Sequence, residues 1–101
     1  MELKELEARM NAFVESKGWY NENTKKIQTV KNLAISLSIE AGEVLEHFQW
    51  HDESRDKEAL ALELADVALY LMQIAYMSEI DLEKAILDKL AINENREWKE
   101  P

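Results

Sequence analysis

The stretch Ala59-Leu-Ala-Leu-Glu63-Leu-Ala-Asp66-Val-Ala-Leu-Tyr70-Leu-Met-Gln73-Ile-Ala-Tyr76-Met77 decides how this chain can fold. It contains no Gly, Pro, Lys or Arg and is dominated by Ala, Leu and Met, which are strong helix formers. Wound at roughly 100° per residue, Leu60, Leu64, Val67, Leu71 and Ile74 fill one side. Leu62, Leu69, Met72 and Tyr76 fill much of the other. A helix apolar nearly all round is expected to be buried. Yet Glu63 and Asp66 stand one turn apart in its middle, with Tyr70 a turn further along the same edge. Carboxylates buried in such a helix need protonation, cationic partners or a metal, because unpaired buried charge is very costly.

The chain has 101 residues, a length that supports a single domain over residues 1–101. So short a chain buries only roughly 60–70% of its unfolded surface, too little to cover one helix on all sides. Self-association is therefore expected, with the second face of the helix packed on another subunit. The hydrophobic fraction of 47% and charged fraction of 33% suit a globular helical protein rather than a disordered one. With Gly 2 and Pro 1, a turn-rich sheet fold is disfavoured. The absence of cysteine excludes both a disulfide framework and thiolate metal ligation. The N-terminus is charged from the start and shows no signal peptide. The run at 59–77 is slightly short for a span of ~20 residues and carries two acids at its centre, so no membrane association is expected. A cytoplasmic location is the default. A net charge of −9 disfavours nucleic-acid polymers, whose binders display a basic stripe. A phosphate-bearing small molecule stays compatible if a divalent cation bridges the two anions.

Working outward, Leu3, Leu6, Met10, Phe13 and Val14 repeat at helical spacing, predicting a first helix that ends near Gly18. Residues 19–28 read as a polar loop with Trp19 and Tyr20 at its entrance. Thr29 is the expected N-cap of a second helix over roughly 30–50. Val30, Leu33, Leu37, Ala41, Val44 and Phe48 make its main apolar face, and Ile35, Ile39 and Trp50 a smaller arc opposite. Ser36, Glu40, Glu43 and His47 run along the edge between them. Residues 51–58 form a charged connection in which Asp52 or Ser54 is expected to cap the third helix, with Asp56 and Glu58 complementing its dipole. Asp81 is expected to cap a fourth helix whose inner positions are Leu82, Ile86, Leu87 and Leu90. Lys89, Asn93 and Arg96 lie on its other face, and the tail through Trp98 is expected to fray. The fold class is all-α, a four-helix bundle completed by oligomerisation.

Glu40 and Glu43 are related by i,i+3, as are Glu63 and Asp66, so the members of each pair share a helix face with Cβ atoms about 5–6 Å apart. If helices two and three form an antiparallel hairpin, the two pairs come level. Four converging carboxylates repel one another, and a hard divalent cation relieves this. Oxygen-only ligation suits Mg²⁺ or Mn²⁺. A di-iron bundle requires Glu-x-x-His pairs, and neither His47 nor His51 lies three residues after a glutamate. The competing reading is a solvated acidic face.

The segment Asn32-Leu-Ala-Ile-Ser-Leu-Ser-Ile-Glu40-Ala-Gly-Glu43-Val-Leu-Glu-His-Phe48-Gln49-Trp50, followed by Glu63-Leu-Ala-Asp66-Val-Ala-Leu-Tyr70-Leu, resembles the MazG-like all-α nucleoside triphosphate pyrophosphohydrolases. Within them it is most similar to the small dCTP pyrophosphatase branch. The similarity spans roughly residues 10 to 97 and includes Asp81-Leu-Glu and Lys89 with Asn93. It implies Mg²⁺ held by Glu40, Glu43, Glu63 and Asp66. It also implies cleavage of a nucleoside triphosphate between its α and β phosphates, in a homodimer or homotetramer with sites built partly across subunits. The chain departs from that branch before Asn32, where a His-Thr-Pro type of sequence is missing. It departs again at Asn93-Glu-Asn-Arg-Glu-Trp98, where Arg-Tyr-Pro is usual.

In such an enzyme the metal positions and acidifies a water, and one of the four carboxylates takes its proton; the sequence does not distinguish which. Lys31, Lys89 and Arg96 are candidate phosphate clamps and Asn93 a neutral donor, against ordinary surface charge as the alternative. Trp50 or Trp19 can stack a base. The Phe-Gln-Trp context favours Trp50, and packing or exposure is the expected fate of Trp19 and Trp98. Tyr70 serves either substrate or core. His47 reads as an ordinary partly buried histidine. A non-catalytic acidic helical interaction module is the alternative from another functional class.

Overall fold

The computed structural model describes residues 2–20, 28–53 and 56–97, and among them all regular structure is helical. Four helices follow in order: α1 (Leu3–Ser16), α2 (Val30–Glu46), α3 (Lys57–Met77) and α4 (Leu82–Glu94). Ser54, Trp98 and most of the loop expected after Tyr20 lie outside the described residues.

Side-chain caps set three of the starts. Thr29 accepts from the Asn32 amide and Asp81 from the Lys84 amide, as their positions predict. For α3 the cap is Asp56, which accepts from the Ala59 amide at 3.0 Å, and not Asp52 or Ser54. The polar connection offers several capping residues, and the one three residues ahead of a helical amide is the one in reach. The expected second helix also shortens at its far end: it stops at Glu46, and residues 47–50 form turns. Glu43 and Glu46 crowd the negative end of its dipole, and its last turn holds no basic residue. Extension through Phe48-Gln49-Trp50 therefore lacks electrostatic support.

α1 and α3 end in the same motif. The Trp19 amide bonds the Val14 carbonyl and the Gly18 amide that of Glu15, with Gly18 at φ 69°. The Ile80 amide bonds Ala75 and the Glu79 amide bonds Tyr76, with Glu79 at φ 57°. Both are Schellman terminations, one built on the residue suited to a left-handed backbone and one on a residue with a Cβ. The first turns Trp19 back over α1, where it packs against the Met10, Val14 and Met72 cluster.

α2 and α3 form the main helix pair. Glu40 meets Glu63 and Gln28, just before α2, meets Gln73. Numbers that rise along one element fall along the other, so the pair is antiparallel. α1 packs on α3 through Met10, Val14 and Met72. α4 is tied in at its start, where Leu82 packs on that cluster and Lys4 reaches Asp81 at 3.8 Å and Glu83 at 4.0 Å. These exposed pairs contribute ~0–1 kcal/mol.

The chain does not bury its apolar surface by itself. Only Met72, Gln73 and Ala75 of α3 are buried, so the expectation of a buried helix is not met within one chain. Leu62 is 70% exposed and Leu45 71%. The expected inner positions Ile86, Leu87 and Leu90 of α4 are exposed too, because no element among the described residues covers them. The accessible surface of 8326 Å² exceeds the about 5,900 Å² of a compact monomer of this mass. A radius of gyration of 16.2 Å likewise exceeds the ~13 Å of a compact chain of about 100 residues. The helix that runs over Lys57–Met77 is longer than the 59–77 run, and by length and composition it can cross a membrane.

The two helix ends yield opposite expectations. Gly18→Ala places a Cβ at positive φ and destabilises the fold by about 1 kcal/mol, although open space surrounds the site. Glu79→Gly relieves the same strain and stabilises by a similar amount. Paired chemical-denaturation curves measure both shifts.

Candidate functional site

The antiparallel pairing of α2 and α3 sets the candidate site. Glu40 and Glu43 face Glu63 across the seam, and one carboxylate oxygen from each lies within 4.8 Å of the other two. All three residues are half-buried. Oε2 of Glu40 and Oε2 of Glu63 are shielded from solvent without a hydrogen-bond partner. Two facing carboxylates contain no donor unless one of them is protonated. Accordingly the Glu40 carboxyl is pushed up to about 7, first by the facing Glu63 carboxyl, then by lost solvation, then by Glu43 and Asp66. The donor set is all oxygen, which fits a hard divalent cation and not a soft one. The shielded, unpartnered oxygens are where such an ion would bind.

Asp66 stands apart from this trio. It is exposed and its side chain, one methylene shorter than glutamate, contributes charge to Glu40 without joining the group within 4.8 Å. It lines a different crevice. The acidic crevice holds about 450 Å³ and is lined by Glu43, Glu46, His47 and Glu63. The second, between α1 and α3, holds about 210 Å³; Phe13, Trp19, Gln28, Asp66, Tyr70 and Gln73 are among its lining. Tyr70 thus sits beside Asp66 at this second crevice.

The remaining candidates are dispersed. Trp50, read as the end of the second helix, lies in the turns beyond it and is 81% exposed. Lys31, Lys89 and Arg96 are exposed, Asn93 is half-buried, and none of the four lines either crevice. The sequence reading passed over Glu46, although it continues the i,i+3 series Glu40, Glu43, Glu46. It also passed over Gln73, which stands out as a neutral polar residue on an apolar helix. Trp19, expected to be packed or exposed, packs against the core cluster and also lines the second crevice.

A MazG-like family model matches residues 35–100. The chain belongs to the MazG-like family. Human dCTP pyrophosphatase 1 (Homo sapiens) is 37% identical over 75 residues, covering 65% of this chain and 44% of that protein. The bovine protein of the same name (Bos taurus) is 35% identical over the same shares. A dATP/dGTP diphosphohydrolase of Salmonella phage PMBT28 is 50% identical over 36 residues, or 36% of this chain and 12% of that protein. The chain spans less than half the length of these curated relatives. No solved structure matches the chain significantly. The MazG-like match covers all three clustered glutamates, together with Asp66, Tyr70 and Gln73.

The Glu40 carboxyl makes the metal-free protein pH-sensitive. Its folded-state value of about 7 lies above the ordinary 4.5, so between these values the native state holds a proton that the unfolded chain releases. Metal-free stability therefore falls as pH rises from 4.5 to about 7, the sign that linkage requires when the native state binds more protons. Thermal melts across this window detect the fall, and Glu40→Gln flattens it.

Proposed function

We propose that this chain is a Mg²⁺-dependent nucleoside triphosphate pyrophosphohydrolase, able to use Mn²⁺ as well. It cleaves a (d)NTP between the α and β phosphates to give (d)NMP and pyrophosphate, and so adjusts or cleans the nucleotide pool. The observation that carries this reading is the Glu40, Glu43 and Glu63 group, with two shielded and unpartnered oxygens, in a member of the MazG-like family. The named activities of its relatives, dCTP pyrophosphatase and dATP/dGTP diphosphohydrolase, support the same reaction class and disagree on the base.

In this reading Glu40, Glu43 and Glu63 hold the metal, and Asp66 adds negative charge beside them. A bound divalent cation would offset the charge of the polyphosphate and lower the pKa of an attacking water. The water oxygen bonds to phosphorus as the phosphoanhydride P–O bond breaks. A carboxylate of the cluster takes the water's proton, and pyrophosphate leaves with the bonding electron pair. The net charge of −9 makes the cation obligatory for the approach of an anionic substrate and argues against nucleic-acid polymers.

The same reading makes α3 the wall of a soluble, cytoplasmic homodimer or homotetramer rather than a membrane span. Glu63, about a third of the way along it, is engaged with α2. The surface in excess of a compact monomer is on the order of 2,000 Å² per chain, the scale of an obligate interface.

A screen of natural and modified dNTPs and NTPs is expected to reveal pyrophosphate release from at least one, abolished by EDTA. Glu63→Gln reduces kcat at least about 100-fold with the helical circular-dichroism spectrum retained. No pyrophosphate from any triphosphate overturns the assignment. Mg²⁺ at 100 times its Kd is expected to raise stability by ~2.7 kcal/mol. Light scattering is expected to return a multiple of 11.8 kDa, and Leu62→Asp to lower that multiple.

A further inference from the structure

Gln73 is a carboxamide on a helix of mostly leucine, alanine and methionine, and it is 5% exposed. Its Nε2 donates to Oε1 of Gln28. Gln28 stands at a junction. Its backbone amide bonds the carbonyl of Trp19 at 3.2 Å, and the Trp19 amide in turn closes the Schellman turn of α1. The residue after it, Thr29, is the N-cap of α2. One side-chain bond therefore ties the start of α2 to the C-terminal half of α3, and through Trp19 to the end of α1.

The glutamates lie further along the same seam, with Glu63 about 15 Å along α3 from Gln73. A cation site needs its oxygens placed to within a few tenths of an ångström. Sliding α2 by one residue moves its side chains about 1.5 Å along the seam. Apolar contact does not fix such a register, because burial is non-directional. Both helices also carry apolar residues off the seam, Leu45 on α2 and Leu62 on α3 being exposed, so rotation exchanges one apolar contact for another. The carboxylates of Glu40, Glu43 and Glu63 push the helices toward such a change, since without a cation they repel. A hydrogen bond is a ruler of the right grade, held to a donor–acceptor separation of ~2.7–3.2 Å. A slipped register strips Gln73 of this partner, and a buried amide left bare is costly.

We infer that Gln28 and Gln73 form the register lock of the α2–α3 seam, a positioning pair that holds Glu40 and Glu43 opposite Glu63 in cation-binding geometry from nearly three turns away. The inference rests on the metal-site part of the pyrophosphohydrolase reading above, and its test separates the two.

Gln28→Met, Gln73→Met, the double variant and Gln28→Glu are compared with wild type. Chemical denaturation reads stability, and the electron paramagnetic resonance signal of free Mn²⁺ reads metal affinity without nucleotide. Each single Met variant leaves one carboxamide without its partner and is expected to lose both stability and affinity. The double variant replaces both partners by apolar side chains of similar length, which restores stability to near the wild-type value but supplies no directional bond. Its Mn²⁺ affinity is expected to stay about tenfold or more below wild type, the scale found for groups that orient metal ligands. Gln28→Glu keeps the accepting oxygen and is expected to bind Mn²⁺ like the wild type. A double variant with wild-type stability and wild-type Mn²⁺ affinity overturns the inference, as does a Gln28→Glu protein that binds as weakly as Gln28→Met. Gln28 lies outside the helices, so Gln28→Met decides alone if the Gln73 variants do not fold, and unchanged Mn²⁺ affinity in it overturns the lock. A wild type that binds no Mn²⁺ overturns the metal reading itself. The expected Mn²⁺ pattern without pyrophosphate release from any triphosphate overturns the catalytic reading and leaves the lock standing.

Discussion

Three carboxylates held within 4.8 Å repel one another, and the α2–α3 seam holds them there nonetheless. Glu40 and Glu43 stand on the face that α2 turns to α3, and the same helix buries Leu33, which is 1% exposed. Glu63 sits on a largely apolar helix, with Asp66 one turn further on as a second acid. The repulsion is relieved at one point, by a proton on Glu40 in the absence of a cation. A divalent cation bound there would compete with that proton for the same oxygens, which the packing of two helices brings together. The fold keeps charge close that would otherwise disperse, and a cation that collects it is recompensed by the repulsion it removes.

The second constraint is surface. A helix that is apolar nearly all round cannot be satisfied by the three short helices beside it. The exposed Leu45, Leu62 and Leu87 are spread over α2, α3 and α4, so each of these helices has an open apolar side. Such a surface calls for cover by further protein or by a membrane.

Much of the fold was legible because it rests on local rules. Thr29 and Asp81 read as caps from their own sequence contexts, and the helix count followed from apolar spacing. The failures also have physical causes. Asp56 competes with other capping residues in one polar connection, and only the helix start decides among them. α2 stops at Glu46 for want of positive charge in its last turn, while the apolar Phe48 and Trp50 suggested that it continued. Spacing placed Glu63 and Asp66 on one face, but spacing does not encode side-chain length, and Asp66 falls short of the glutamate group. Packing between α1 and α3 is a long-range event, so the crevice beside Trp19 left no signature in any local window.

Gln73 shows what a single residue out of pattern can mean. At its position on α3 a leucine would satisfy helix propensity and burial together, whereas a carboxamide must find partners or leave buried polar atoms bare. It finds one in Gln28, whose Oε1 accepts from its Nε2, so a side chain outside the glutamate cluster holds this amide. α3 thus presents two kinds of chemistry nearly three turns apart: carboxylates toward α2 at Glu63, and a buried carboxamide beside the α1 crevice at Gln73. A straight helix gives that separation, about 1.5 Å per residue, a length set by the backbone rather than by any side chain.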